Sequence, residues 1–257
     1  MPVLVEKKDG IALVTIDRPT QSNSIDTETH LELRDLWPVL EADDTVGVII
    51  LTGQGDKVFC AGADISSFLP YLSQRIAADD DPGDFCGLTH RRLSKVVIAA
   101  INGAATGGGL ELALACDLRI SVDTAIFALP EVKIGAIAGA GGVARLGRAL
   151  PDAVAMDMLL TGRSITAERA YQLGLVSEML TREDFMPRVR EIAGMILRNS
   201  PLAVRLTRQI ARDTAQMEDA EALSLEREAF WDVVTSRDFD IGIKSFVART
   251  TPKFEGV

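Results

Sequence analysis

The chain has 257 residues, of which 47% are hydrophobic and 25% charged, a composition that is typical of a globular protein and excludes a disordered or fibrous one. The net charge of −10 disfavours binding to nucleic acid or to an anionic membrane surface. The apolar runs are too short to span a membrane and the start, MPVLVEKKDG, lacks a secretion-signal pattern, so we expect a cytoplasmic protein.

Strands and helices alternate along the first part of the chain. The alternating and β-branched apolar runs predict strands at residues 11–17, 46–52, 96–101 and 118–121. A helix is expected to begin near Asp26 or Thr27, with Pro38 as a kink or an early end. Residues 69–87 are predicted to form an irregular loop centred on the Asp-, Pro- and Gly-rich stretch 79–83, which could border a binding site.

Helical periodicity dominates the second part of the chain. Ser200 and Pro201 are expected to be the N-cap and the first residue of a helix. The other predicted helices cover approximately residues 143–150, 156–160, 167–173, 185–198, 221–234 and 239–249.

Residues that usually bind metals are sparse. Cys60, Cys86 and Cys116 form no CxxC pair and are expected to be buried hydrophobic residues. His30 lies in a helical pattern, and His90 lies in a basic cluster that suggests the surface. The sequence therefore predicts no metal site and leaves any catalysis to carboxylates and backbone groups.

Two apolar strands each lead into a loop of small residues, at 60–64 and at 104–109. A glycine triplet before a helix leaves backbone N–H groups unhindered, and such groups can hold an anion or a developing oxyanion. An N–H from each loop, one of them that of Ala63, could converge on a single carbonyl oxygen. The alternative for the glycine triplet is a tight packing turn.

Two glutamates lie in apolar sequence, Glu111 in GGGLELALA and Glu131 in FALPEVKIG. Carboxyl groups in apolar surroundings and close to each other tend toward raised pKa values, so that one can donate a proton while the other accepts one. The alternatives are two surface glutamates, or a salt bridge between Glu131 and Lys133.

Several stretches together resemble the crotonase, or enoyl-CoA hydratase-isomerase, superfamily over nearly the whole chain. They are DRPTQSNSID, VIILTGQGDKVFCAGADIS, VIAAINGAATGGGLELALACDLRI, FALPEVKIGAIAGAGGVARLGR, LLTGRSITAERAYQLGLV and GIKSFVARTTPKF. The resemblance implies an α/β fold in which a crotonase-like spiral of ββα units forms a core over residues 1–195, with the CoA and acyl site. It also implies a helical trimerisation region over residues 196–257 and a homo-oligomer, either a trimer or a dimer of trimers.

The same resemblance implies the site and the reaction. Ala63 and Gly108 match the positions whose N–H groups form the oxyanion hole for an acyl-CoA thioester. Glu111 matches the base that activates water and Glu131 the acid that protonates the α-carbon, although the two could share these roles. Both carboxylates together favour an enoyl-CoA hydratase; a carnitinyl-CoA-type dehydratase or an enoyl-CoA isomerase is the alternative. Coenzyme A is then part of the substrate, and no separate cofactor is expected.

Further residues are candidates for contacts with the CoA part of the substrate. The resemblance places Ala61, Asp64 and Ile65 near its adenine end, and Phe246 and Lys253 in a C-terminal segment that can reach it. Arg18 and Lys57 are candidates, with Lys253, for its phosphates or are ordinary surface charges. The chain departs from the hydratase pattern at Ser66, Ala138 and residues 69–87. The resemblance therefore does not identify the acyl chain of the substrate.

Two rival interpretations come from other classes. Gly139, Gly141 and Ala144 spell the GxGxxA of dinucleotide-binding oxidoreductases, although that fingerprint should follow the first strand of a βαβ unit. The other rival is a non-catalytic, RNA-binding or scaffold protein with the same fold, which the acidic charge and the two glutamates disfavour.

Overall fold

A computed structural model describes residues 1–78 and 84–257 of the chain, so residues 79–83, the predicted centre of the irregular loop, lie outside the described residues. The chain divides into two compact units, Met1–Arg190 and Glu191–Val257. The strands are β1 Val3–Lys8, β2 Ile11–Ile16, β3 Val48–Gly53, β4 Val58–Cys60, β5 Val96–Ile101, β6 Ala104–Thr106, β7 Leu118–Val122, β8 Ile126–Ala128, β9 Ile165–Thr166 and β10 Glu178–Leu180. The α-helices are α1 Thr27–Glu41, α2 Phe68–Ala77, α3 Gly108–Ala115, α4 Gly142–Ala149, α5 Asp152–Thr161, α6 Ala167–Gln172, α7 Arg182–Leu197, α8 Pro201–Asp213, α9 Asp219–Val234 and α10 Arg237–Ala248.

A six-stranded sheet with the order β1-β2-β3-β5-β7-β10 forms the core of the first unit. In this sheet β1 pairs with β2 in an antiparallel manner, and the four pairs described between its other strands are parallel. Every residue of β3 and β5 is buried, which explains their continuous apolar sequences, because a parallel strand covered on both faces needs no polar alternation. The strands predicted from those sequences are confirmed, although β3 begins two residues and ends one residue later than predicted.

A second sheet of four short strands, β4-β6-β8-β9, positions the chemistry of the first unit. The strands β4, β6 and β8 are mutually parallel, with Cys60 paired to Ala105 and Thr106 paired to Ala128. Because the carboxyl ends of neighbouring parallel strands lie at the same edge of a sheet, the segments that follow these three strands emerge side by side.

Several elements differ from the sequence prediction. The N-terminal strand β1 and the short strands β4, β6, β8, β9 and β10 were not predicted. Pro38 does not end α1, which continues to Glu41 because a proline near a C-terminus removes only one hydrogen bond and the flanking Trp37 and Leu40 are fully buried. The irregular loop predicted for residues 69–87 is wrong for its first part, because the apolar residues of α2 recur at helical spacing.

The second unit is helical. The Ser200 hydroxyl accepts a hydrogen bond from the Ala203 N–H, so the predicted cap of α8 is confirmed. Asp238 in α10 is buried and accepts hydrogen bonds from the Ser200 hydroxyl and from the N–H groups of Glu255 and Gly256. The predicted roles of residues 1–195 and 196–257 stay predictions.

Candidate active site

The candidate site is built at the shared edge of the small sheet. Residues 61–65 follow β4, the turn at Gly107 and then α3 follow β6, and Glu131 lies three residues beyond the end of β8. Gly107 has φ 56° and ψ −133°, a conformation that an L side chain rarely adopts, so glycine is required where β6 turns into α3.

Two backbone N–H groups meet at this edge. Within the described chain, neither the N–H of Ala63 nor that of Gly108 donates a hydrogen bond to another residue. Gly62, the residue before Ala63, packs closely against Gly108. Its φ is +93°, and a Cβ at this position would lie 2.8 Å from the Gly108 nitrogen. Ala63 and Gly108 line the same cavity. The two N–H groups thus have the character that an anion or oxyanion site requires.

Glu111 is a buried carboxylate, only 4% exposed, on the helix that Gly108 begins. Its Oε1 accepts hydrogen bonds from the N–H of Ala140 at 2.7 Å and of Gly142 at 2.8 Å. Burial raises its pKa and the nearby charge of Glu131 adds to that, while the two N–H groups and Arg145 oppose the rise. The surface-glutamate alternative is therefore wrong for Glu111.

Glu131 is a half-buried carboxylate in a 3-10 turn, Glu131–Ile134. Its Oε2 is inaccessible to solvent and has no hydrogen-bond partner in the described part of the chain. Burial raises its pKa above the ordinary value. The Glu131–Lys133 salt bridge that the sequence left open is not formed, although both residues are described. A buried oxygen without a partner is the group that a water or a substrate proton would satisfy.

A cavity of about 740 Å³ joins these groups. Glu111 and Glu131 line it together with the two N–H groups. Part of its apolar wall is formed by Phe68, Leu69, Leu72 and Ile76 from α2, and by Phe85. The Phe68 and Phe85 rings meet edge-on with their centroids 5.4 Å apart. A mostly apolar cavity of this size with a few convergent polar groups has the character of a small-molecule site.

Arg18 and Asp64 are engaged with each other and with their neighbours. The Arg18 guanidinium lies 2.9 Å from the Asp26 carboxylate and 3.4 Å from that of Asp64, and it donates to the Ser24 carbonyl. Asp64 also accepts hydrogen bonds from the N–H and hydroxyl of Ser66, which, with Arg18, hold its pKa below the ordinary value. These contacts fix the 61–65 loop, and CoA contacts by either side chain stay predictions.

The remaining candidates for CoA contacts divide between the two units. Ala61 and Ile65 line the cavity, and Ile65 is 62% exposed. Phe246 and Lys253 are exposed residues of the second unit. Their CoA contacts stay predictions.

The glycine motif of the dinucleotide rival has another role in this structure. A 3-10 turn, and not a β-strand, precedes Gly139 and Gly141, which removes the βαβ context that the fingerprint needs. The N–H groups of this loop and of the following helix start, those of Ala140 and Gly142, bind the Glu111 carboxylate.

Several lining and supporting residues were missed from the sequence. The wall on α2 had a signal, because Phe68, Leu72 and Ile76 are spaced four apart, a helical repeat. The N–H donors to Glu111 had no such sequence signal. Ala140 and Gly142 are separated from Glu111 by 29 and 31 positions and meet it only in the folded state.

The cysteines and histidines behave largely as expected. All three cysteines are free and buried, and burial raises the pKa of the Cys60 thiol to about 12. His90 is exposed, whereas His30 in α1 is buried and its Nδ1 accepts the Cys86 N–H at 3.0 Å. In residues 1–78 and 84–257, no three His, Cys, Asp or Glu side chains are grouped so as to hold a metal ion. Every helix in these ranges falls short of the length and apolar content needed to cross a membrane.

Comparison with known families decides the membership of the chain. Residues 6–257 match the enoyl-CoA hydratase/isomerase family. The chain belongs to this family. Family enzymes act on acyl-CoA thioesters, and the resemblance inferred from the motifs is confirmed.

Relatives within the enoyl-CoA hydratase/isomerase family carry different activities. The chain is similar to the (E)-benzylidenesuccinyl-CoA hydratase of Thauera aromatica, with 40% identity covering 100% of both proteins. It is similar to the carnitinyl-CoA dehydratase of Escherichia coli O157:H7, with 37% identity over 97% of each. An enoyl-CoA hydratase structure from Bacillus anthracis superposes with a TM-score of 0.92 at 31% identity, covering 100% of both chains. The mixed α/β fold is therefore that of crotonase-type enoyl-CoA hydratases.

Proposed function

We propose that the chain is an enoyl-CoA hydratase that adds water across the 2,3 double bond of a 2-enoyl-CoA to give a 3-hydroxyacyl-CoA. The observation that carries this proposal is the pair of carboxylates, Glu111 and Glu131, facing one cavity with two unpaired backbone N–H groups. Hydration needs a base for water, an acid for the α-carbon and a site for the thioester oxygen, and this set of groups can supply all three.

The two carboxylates differ in a way that supports different roles. The Oε1 of Glu111 accepts hydrogen bonds from two backbone N–H groups, which favour the charged form of the carboxylate and fix its orientation. Glu131 has a buried oxygen without a donor, which favours its protonated form. Glu111 therefore takes a proton from water as the oxygen bonds to C3, and Glu131 delivers a proton to C2.

The N–H groups of Ala63 and Gly108 stabilise the intermediate between these two proton transfers. When the water oxygen bonds to C3, the electrons of the double bond move toward the thioester and its oxygen becomes an enolate. Two donors aimed at that oxygen lower the barrier, and each is worth on the order of a hundredfold in rate. As the α-carbon accepts its proton, the enolate returns to a thioester carbonyl.

The loss of the conjugated thioester absorbance of crotonyl-CoA, and of longer and branched 2-enoyl-CoA esters, tests this function. We expect Glu111→Gln and Glu131→Gln each to lose at least about a hundredfold in turnover, the scale of one general acid or base, while retaining CoA-ester affinity. Glu168→Gln on α6, an exposed glutamate, is the matched control. Full activity of either variant at position 111 or 131 would refute its assigned role.

Dehydration of a carnitinyl-type thioester is the second candidate, since the chain is 37% identical to a carnitinyl-CoA dehydratase. The same two carboxylates would then run the reaction in reverse, removing water from C2 and C3. Absorbance that appears with a 3-hydroxyacyl or carnitinyl thioester, with no loss for any 2-enoyl ester, would favour this reaction. Absorbance that appears with a 3-enoyl-CoA would instead identify an isomerase.

A further inference from the structure

Arg145 connects two segments that line or support the candidate site. It is a half-buried residue in the first turns of α4. Its Nη1 donates to the Ala140 carbonyl at 3.1 Å, and its Nη2 donates to the Thr89 carbonyl. Because a guanidinium is planar and has donors on two sides, one side chain can hold two backbone segments at a fixed separation.

The first of these segments orients Glu111. The peptide between Ala140 and Gly141, whose carbonyl Arg145 binds, lies between the two peptides whose N–H groups bind the Glu111 carboxylate. The guanidinium lies directly against this loop, since a Cβ on Gly141 would be 1.9 Å from Nη1. Arg145 therefore supports the loop whose N–H groups bind the Glu111 carboxylate.

The second segment positions Phe85. The Thr89 hydroxyl accepts the Phe85 N–H at 2.9 Å. The Phe85 ring lies over Gly108, where an added Cβ would be 2.6 Å from ring carbon Cε1. Arg145 is thus joined through Thr89 to the cavity wall beside one of the two N–H donors.

We propose that Arg145 is a positioning residue that holds the Glu111 carboxylate and the Phe85 side of the cavity in fixed positions relative to the thioester site. This inference rests on the proposed function, because it assigns Arg145 to the orientation of the base in hydration. Arg145 does not line the cavity, so it acts through the 140–142 loop and not by touching substrate.

The charges near Glu111 make this role measurable. Among the elements packed on α3, the charged groups that act on Glu111 are Glu131, beyond β8, and Arg145 on α4; the 140–142 loop contributes N–H groups. Arg145 lowers the pKa of Glu111, so its removal moves that pKa upward. A base is active only when deprotonated, so the acidic limb of the kcat profile should move to higher pH.

The test compares Arg145→Met and Arg145→Lys with Arg148→Met, which removes an exposed arginine from the same helix. We expect Arg145→Met to lower the hydration kcat by about 10- to 100-fold, the effect of a misplaced catalytic group, with KM changed less than kcat. Its acidic limb should move to higher pH. Arg145→Lys keeps the positive charge but not the simultaneous hydrogen bonds to the Ala140 and Thr89 carbonyls. The acidic limb of its kcat profile should therefore stay closer to that of wild type while kcat falls. Arg148→Met should match wild type.

Calorimetric binding of butyryl-CoA, which has no double bond to hydrate, and the unfolding midpoint show whether each variant keeps its fold and site. Should Arg145→Met not fold, Arg145→Lys and Thr89→Val carry the test. Thr89→Val removes the hydroxyl that accepts the Phe85 N–H and donates to the Asp84 carboxylate, and it leaves the Thr89 carbonyl to Arg145. It should change acyl-chain preference without moving the acidic limb. Variants at position 145 with the kcat and pH profile of Arg148→Met would overturn the inference. A wild-type protein that hydrates no 2-enoyl-CoA ester would instead contradict the proposed function.

Discussion

At the residue scale, the candidate site depends on groups whose ordinary partners are missing. The N–H groups of Ala63 and Gly108 and the Oε2 of Glu131 lack partners in the described chain, although the first two line a cavity and the third is buried. Unsatisfied polar groups cost free energy, so folded proteins keep few of them. Their concentration at one sheet edge supports the catalytic role proposed for that edge.

The N–H of Gly108 can be tested apart from the space around it. Both Gly108→Ala and Gly108→Pro place a Cβ against the Phe85 ring, but only proline deletes the N–H. Gly108 is the first residue of α3, a position that tolerates proline. We predict that kcat of the proline variant is about a hundredfold below that of the alanine variant, measured by enoyl-CoA hydration. Equal rates in the two folded variants would remove this N–H from the mechanism.

The raised pKa of Glu131 predicts how stability changes with pH. At a pH well below 4.5, the pKa of Glu131 in the unfolded chain, the carboxyl group is protonated in both states and does not change the free energy of unfolding. As the pH rises past that value the unfolded chain ionises first, so the native state loses stability until the pH exceeds the folded pKa. Glu131→Gln should therefore melt higher than wild type at neutral pH, with the difference shrinking near pH 4. Melting curves from pH 4 to 8, with Glu168→Gln as control, measure this; a pH-independent difference would contradict it.

At the element scale, α3 lies so close to the small sheet that packing requires a glycine at position 109. The helix is buried along its whole length. A Cβ on Gly109 would lie 2.0 Å from the carbonyl oxygen of Cys60 in β4, which is backbone and cannot rotate away. The packing interpretation that the sequence left open is therefore confirmed at Gly109, and anion binding at Gly107–Gly108 stays a prediction.

Two helical glycines give a matched prediction of opposite sign. Gly109→Ala should lower the free energy of unfolding by at least about 1–3 kcal/mol, the cost of overpacking. Gly147→Ala in α4 should raise it by about 0.5–1 kcal/mol, because a Cβ there meets nothing within 4 Å and alanine favours the helix. Urea unfolding of both variants tests this. A stable Gly109→Ala protein would mean that α3 can move away from β4.

At the scale of the whole molecule, the second unit exposes many large apolar side chains. Those on α9 and α10 are Leu223, Phe230, Trp231, Phe239, Ile243, Phe246 and Val247. Apolar surface of this extent usually marks an interaction site. It supports the homo-oligomer that the family resemblance implies.

We predict that the chain forms a trimer or a dimer of trimers, with a mass three or six times that of the 27.7 kDa chain. Replacing Phe230 and Trp231 together by serine should shift the assembly toward smaller species, because both side chains are more than half exposed. Light scattering coupled to size exclusion measures the mass, and Arg227→Ser on the same helix is the control. A monomeric wild type would contradict the prediction.

The sequence alone determined the local features that depend on nearby residues. Continuous apolar strands, the helix cap at Ser200 and the glycine turn follow from short-range chemistry, and the motifs around Ala63, Gly108, Glu111 and Glu131 were sufficient for the family. Only the tertiary structure decided which distant segments meet. Glu111 is held by N–H groups about thirty residues away, and Arg145 reaches Thr89 across 56 positions. These contacts exist because three parallel strands end at one edge and a helix then packs against them, and no local pattern encodes such a meeting point.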